Sequence, residues 1–166
     1  MAELTQRERL QPSLLDRLID DAPKDLNESR ESRVLTLQRL RECVLRDISW
    51  LFNTENAEPV LDLDVYPAVL TSVINYGIPT VAGLTASGLD LKKLEVHVRD
   101  SIIAYEPRIL KKGLQVTAYY SDELMSRKTL MFEIDGELWA QPVPMRMYLR
   151  TELDLETGKV TIKETR

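Results

Sequence analysis

At 166 residues, 43% of them hydrophobic and 30% charged, the chain has the material for one domain with a real core and an independent N-terminal arm. A net charge of −5, with Lys and Arg scattered rather than massed on one stripe, argues against a phosphate-backbone binder, so no nucleic-acid partner is expected. No window approaches the roughly 18 apolar residues that span a bilayer, and the start, Met1-Ala2-Glu3-Leu4-Thr5, has no apolar signal core. The expectation is therefore a cytoplasmic protein without direct membrane insertion.

Residues 1–32 read as an arm and linker. Leu14-Leu15-Asp16-Arg17-Leu18-Ile19 gives a turn or two of amphipathic helix, and Lys24 to Ser32 is a charged connector with little to bury. The main domain is expected over 33–166. From about Arg33 to Asn53, apolar residues recur at three- and four-residue spacing: Val34, Leu37, Leu40, Val44-Leu45, Ile48 and Leu51-Phe52. This predicts a central helix capped by Ser32 or Ser29, with Arg39, Arg46 and Asp47 towards its other faces.

Tyr66-Pro67 predicts a second, shorter helix with Val69, Leu70, Val73 and Ile74 on its apolar face, ended by Asn75-Tyr76-Gly77-Ile78-Pro79. Ser87-Gly88-Leu89-Asp90 resembles a capping box for a third helix, in which Leu91, Leu94, Val98 and Ile102 share a face. That helix stops at Glu106-Pro107, because the residue before a proline is pushed out of the helical region. After Gly113 the period changes to two. Leu114, Val116, Ala118 and Tyr120 alternate, as do Leu130, Phe132 and Ile134. Asp135-Gly136 then predicts a type I′ hairpin turn, with Leu138 and Ala140 on the return strand. Pro142-Val143-Pro144 marks an edge, bulge or bend. Met145, Met147 and Leu149 alternate again, and Glu156-Thr157-Gly158-Lys159 is a turn before Val160 and Ile162. The fold class is α+β: three main helices on one face of an antiparallel sheet of about four strands, with an N-terminal helical arm.

A search for chemistry is mostly negative. The chain has one cysteine, Cys43, and one histidine, His97, so an intrachain disulfide and multi-Cys zinc sites are excluded. Cys43 reads as a small buried thiol. No Gly-rich phosphate loop, Gly-x-Ser-x-Gly elbow or His-Glu-x-x-His pair occurs. No cofactor, metal or catalytic residue is expected. Asp62 and Asp64 alternate with leucines and read as the polar side of an extended segment. Trp50 and Trp139 fit either core or interface anchors, and Met145 and Met147 core or adaptable interface. Metal-independent acid chemistry stays open, since a glycosidase needs only two carboxyls about 5–9.5 Å apart. Glu106 is the candidate acid, but Arg108 close by favours its charged form, which suits an ion pair or a base better.

Four stretches together resemble one family. They are Leu14-Leu15-Asp16-Arg17-Leu18, Leu40-Arg41 with Val44-Leu45-Arg46-Asp47-Ile48 to Leu51-Phe52-Asn53-Thr54, Ser72-Val73-Ile74-Asn75-Tyr76-Gly77-Ile78-Pro79, and Tyr105-Glu106-Pro107-Arg108-Ile109-Leu110. Over residues 10–165 the chain is similar to the TssE baseplate proteins of type VI secretion systems, themselves similar to a "lysozyme-like" wedge protein of contractile phage tails. The resemblance implies a structural, non-enzymatic subunit of a membrane-docked baseplate. Its implied partners are other wedge subunits of the TssF, TssG and TssK types and the contractile sheath. It implies that Glu106, Pro107 and Arg108 form the partner-binding element. It also suggests that an edge strand near the C-terminus engages sheath strands by β-augmentation. The alternative is a peptidoglycan-cleaving glycoside hydrolase using Glu106 and a second carboxylate; no acid pair here matches a lysozyme active site residue by residue.

Overall fold

The computed structural model describes residues 13–19, 36–58, 65–83, 88–120, 129–140 and 144–164. Three helices, α1 (Leu14–Leu18), α2 (Leu37–Phe52) and α3 (Leu91–Tyr105), accompany four strands, β1 (Gln115–Tyr120), β2 (Thr129–Leu138), β3 (Met145–Asp154) and β4 (Val160–Glu164). The strands form one antiparallel sheet in the order β1-β2-β3-β4. This is the expected α+β meander. Leu40, Val44, Ile48 and Leu51 of α2 and Leu94, Val98 and Ile102 of α3 form one core with Leu130, Phe132, Ile134 and Leu149 of the sheet. Each such side chain, fully buried, contributes roughly 1.5–3 kcal/mol.

Local sequence chemistry explains most boundaries and corrects several expectations. The cap of α2 is Thr36, whose hydroxyl accepts from Arg39 N at 3.1 Å, so the helix starts at Leu37 rather than near Arg33. Ser29 and Ser32 lie outside the described residues. The cap of α3 is Asp90 itself, whose carboxylate accepts from Lys92 N at 3.1 Å and Lys93 N at 3.2 Å. Ser87, the expected cap, lies outside the described residues, as do Asp62, Asp64, Pro142 and Val143.

The second helix does not form. In its place are two 3-10 turns, Pro67–Val69 and Val73–Asn75. Side chains here take backbone groups that an α-helix would use. Ser72 Oγ donates to Val69 O and accepts from Ile74 N, while Asn75 Nδ2 donates to Leu70 O at 3.0 Å and its Oδ1 accepts from Ala57 N. Leu70, Val73 and Ile74 are exposed instead of forming an inward apolar face. Gly77 follows at φ +130°, and an added Cβ would sit 2.4 Å from Thr54 O. Its role is a close backbone approach rather than a helix ending, since Ile78 N donates to Thr54 O at 3.0 Å and Asn56 N to Ile78 O at 3.1 Å.

Asp135-Gly136 is not a hairpin turn. β2 runs straight through it, with Asp135 opposite Tyr148 and Gly136 opposite Met147. The glycine is there for space, because a Cβ would lie 3.2 Å from Leu114 Cδ1. The segment after α3 thus packs down onto the sheet at the one strand position without a side chain.

Both sheet edges are partly closed by side chains from the helices. Glu95 of α3 accepts from Ala118 N of β1 at 2.9 Å. Asn53, at the end of α2, acts as a substitute strand rung for β4: its Nδ2 donates to Val160 O and its Oδ1 accepts from Val160 N, each at 3.0 Å. Among the described residues, no helix is long and apolar enough to cross a membrane.

Candidate functional site

The segment Tyr105–Leu110 is fixed at both ends. Glu106 N closes α3 on Ile102 O at 2.8 Å, and Ile109 N turns back onto Glu106 O at 3.1 Å. Beyond it, Ile109 pairs with Leu138 in an isolated antiparallel bridge, flanked by Leu110 N→Glu137 O at 2.8 Å and Trp139 N→Arg108 O at 2.7 Å. Pro107, which has no N–H to satisfy, takes the exposed position between these anchors. The corner is therefore a rigid link between the end of α3 and the end of β2.

Its side chains face opposite ways. Glu106 is only 3% exposed, and both its oxygens go to Arg108: Oε1 accepts from Nε at 2.7 Å and from the backbone N at 3.1 Å, and Oε2 from Nη2 at 2.5 Å. Arg108 Nη2 also pairs with Asp47 on α2. Arg46, on α2 beside Asp47, donates from Nε to Asp47 Oδ1 at 2.8 Å and reaches Asp16 of α1 through Nη1 at 2.8 Å. Arg46 also lies over the Trp50 ring, 5.0 Å from its centroid. Asp16 Oδ2 stands 4.0 Å from Arg108 Nη1. Three carboxylates and two guanidiniums from three separate elements thus form one connected cluster.

The electrostatics follow from that geometry. Burial disfavours charge on Arg108, but the hydrogen bonds and charges of Glu106 and Asp47 outweigh it and hold the guanidinium protonated more firmly than a free one. Burial works to raise the Asp16 carboxyl, yet hydrogen bonds with Ser13, Arg46 and Cys43 leave it below the usual carboxylate range. Burial, then the Asp16 carboxylate, pushes the Cys43 thiol up. Tyr76 and Tyr105 meet edge to face beside the corner, with centroids 5.2 Å apart, and burial raises both hydroxyls. Tyr105 Oη donates to Ser72 O at 2.9 Å, tying the 3-10 turns to α3.

Of the residues expected from the sequence to act together, Glu106, Pro107 and Arg108 are contiguous, but only Pro107 and part of Arg108 reach the surface. Asp16, Arg46 and Asp47 belong to the same cluster, and the helical pattern had pointed Arg46 and Asp47 to other faces. One available signal is that Asp47 lies one helical turn after Cys43, on a face that is otherwise buried. Trp50 and Trp139 are both half-exposed, whereas Met147 is buried in the core. Among the described residues, no group of three His, Cys, Asp or Glu side chains is arranged to hold a metal ion.

Comparison with known proteins gives a family and a structural likeness. Residues 38–143 match the model of baseplate wedge protein gp25. The chain is similar to a solved structure from Geobacter sulfurreducens described as a candidate tail lysozyme. The two share 20% identity and a TM-score of 0.47, over 74% of this chain and 96% of that one. No curated protein matches. The family match covers more than half of the chain and takes in all but the first residue of α2, all of α3 and the Glu106-Pro107-Arg108 corner, so this chain belongs to the family of baseplate wedge protein gp25.

Proposed function

We propose that this protein is a structural subunit of a type VI secretion baseplate wedge, which binds other wedge subunits through Glu106, Pro107 and Arg108 and helps to start the contractile sheath. The observation that carries the reading is the preorganised corner. Pro107 is held outward on a backbone pinned at both ends, and Arg108 has its guanidinium plane fixed by Glu106 and Asp47. A contact surface that is already ordered loses little conformational entropy on binding. Within the triplet, Glu106 orients Arg108, and Pro107 and Arg108 meet the partner. TssF-, TssG- and TssK-type subunits are the partners proposed, at a cytoplasmic, membrane-docked baseplate.

For the sheath, the proposed seat is the β4 edge. The β1 edge has its central N–H at Ala118 taken by Glu95, while on β4 only the first rung, Val160, is taken by Asn53. Beyond it, a groove of about 470 Å³ runs between α2 and β4, lined by Leu45, Arg46, Ser49, Val160 and Ile162 among others. An added strand could bond to Ile162 and lay a side chain into that groove.

The glycoside hydrolase reading fits the corner less well. A general acid must present its carboxyl to the leaving oxygen, and both oxygens of Glu106 are turned inward onto Arg108. The test is co-purification of wedge subunits with the double variant Glu106→Gln/Arg108→Met, chosen because it removes both halves of the pair. Loss of partners by a folded variant is expected. A folded variant that co-purifies and starts sheath like the parent would remove the assignment, and cell-wall cleavage by the parent, lost in Glu106→Gln, would replace it.

A further inference from the structure

α1 is built inside out. Its leucines face solvent, with Leu14 72% and Leu18 74% exposed, while its acidic residue, Asp16, keeps only 8% of its side chain exposed. Apolar packing therefore does little to hold α1 in place. What holds it is the Asp16 carboxylate, through Arg46 Nη1 at 2.8 Å and the Cys43 thiol, with Arg108 Nη1 at 4.0 Å.

The other side of the contact is as specific. Arg108 has Nε and Nη2 committed to Glu106 and Asp47, and its buried Nη1 has no hydrogen-bond acceptor among the described residues. The remaining donor side of both guanidiniums, Nη1 of Arg46 and Nη1 of Arg108, converges on the place where Asp16 lies. Remove Asp16, and two carboxylates, Asp47 and Glu106, face two guanidiniums, with one bridging position open. The charges there already balance, and what the position lacks is a hydrogen-bond acceptor shared by the two Nη1 groups, the geometry that the two oxygens of a carboxylate supply.

We propose that α1 is a displaceable placeholder: Asp16 fills this carboxylate position in the free protein, and an Asp or Glu side chain of a wedge partner takes its place on assembly. The proposal rests on the reading that partners bind at the Arg108 corner. Any partner that contacts the Arg108 guanidinium must approach Nη1, because the other nitrogens are filled, and α1 lies there. Partner affinity is then reduced by the fraction of molecules in which α1 is docked, as for any ligand whose competent state is partly populated. The same exchange makes the exposed leucines of α1 available elsewhere once it is released.

Cys43 supplies a readout in the full chain. Its thiol is buried and bonded to Asp16, so release of α1 exposes it. The experiment measures the rate of Cys43 labelling by a disulfide reagent in the parent and in Asp16→Ala across a pH series, and compares the rates per thiolate, because loss of the Asp16 carboxylate by itself lets the thiol ionise more readily. It then measures the affinity of each for a reconstituted subcomplex of TssF- and TssG-type subunits. Asp16→Ala should label roughly fivefold faster or more, the scale of a part-buried ion pair, and bind the subcomplex more tightly by a similar factor. Far-UV circular dichroism should stay at the parental value, since α1 lies outside the packed core, and the urea midpoint should fall by no more than the equivalent of that factor, about 1 kcal/mol. Unchanged labelling would overturn the proposal by showing that Asp16 does not hold α1 over Cys43. Faster labelling with equal or weaker binding would also overturn it, showing that α1 belongs to the interface or is irrelevant to it. If Glu106→Gln/Arg108→Met binds like the parent, the corner is not the partner site, and the underlying reading falls with the proposal, whatever the labelling shows.

Discussion

Arg108→Met should be among the most destabilising substitutions outside the hydrocarbon core. The side chain is 20% exposed and makes charge-assisted hydrogen bonds to Glu106 and Asp47, and the Glu106 side chain is 4% exposed. Breaking a buried ion pair by deleting one partner costs roughly 3–5 kcal/mol, mostly from the charge left behind. Residual solvent access at Arg108 places the expected loss near the lower end, about 3 kcal/mol, a large part of the roughly 5–15 kcal/mol that holds a domain together. The double variant Glu106→Gln/Arg108→Met should recover most of that loss, because the stranded charge goes with its partner. Urea unfolding followed by circular dichroism gives both values from the shift in midpoint at constant slope. A loss under about 1 kcal/mol would show that the cluster behaves as a solvated surface feature, and a double variant as unstable as the single one would show that the loss does not come from the stranded Glu106 charge.

Two glycines should respond unequally to alanine. Gly77→Ala places a Cβ 2.4 Å from Thr54 O and 2.9 Å from Asn56 N at φ +130°, against backbone that cannot yield. A cost of about 2 kcal/mol or more is expected, seen as a melting point lower by roughly 4–8 °C. Gly136→Ala meets only the end of Leu114 at 3.2 Å and should cost no more than about 1 kcal/mol; a larger loss would contradict the strand-interior placement. Glu95→Ala strands the Ala118 N–H and should cost about 1–3 kcal/mol at neutral pH. Burial works to raise the Glu95 carboxyl, but the Ala118 N–H and Lys92 outweigh it and hold it below its ordinary 4.5. Its stabilisation is thus full above that ordinary value and lost as pH falls through the lower folded one, so parent and variant should converge in acid. Ile162→Pro removes the N–H of the open rung on β4 and should block sheath initiation while wedge subunits still co-purify; normal initiation would move the sheath seat elsewhere.

The parts of the fold that could be read from the chain are those where a repeating pattern and its burial coincide. The run from Leu40 to Phe52, the face made by Leu94, Val98 and Ile102, and the alternation from Leu130 to Leu138 each bury the residues that their period selects. The failures share a cause, which is that a distant partner overrides a local signal. Asp135-Gly136 favours a tight turn in isolation, but ten residues of β3 pair along β2, and Leu114 needs the space above Gly136. Val69, Leu70, Val73 and Ile74 have a plausible helical spacing. Ser72, Asn75 and the hydroxyl of Tyr105 instead capture the backbone there in 3-10 turns.

The site shows the same division more sharply. Pro107 announces a boundary on steric grounds alone, and the boundary is there. The burial of Glu106 carries no such local mark, because a carboxylate goes inside only when a counter-charge is already waiting. That counter-charge is Arg108, two residues away, and Asp47, 61 residues away, holds Arg108 in turn. Arg46 then extends the chain of charges to Asp16, whose own neighbours are leucines that face outward. Helical periodicity treats every charge as a solvated face, so it has no means of finding a cluster in which charges from three elements are one another's environment. The order of dependence also separates roles within the triplet. Glu106 and Asp47 fix Arg108, the turn fixes Pro107, and only the outward side of Arg108 remains to be contested between Asp16 and a partner.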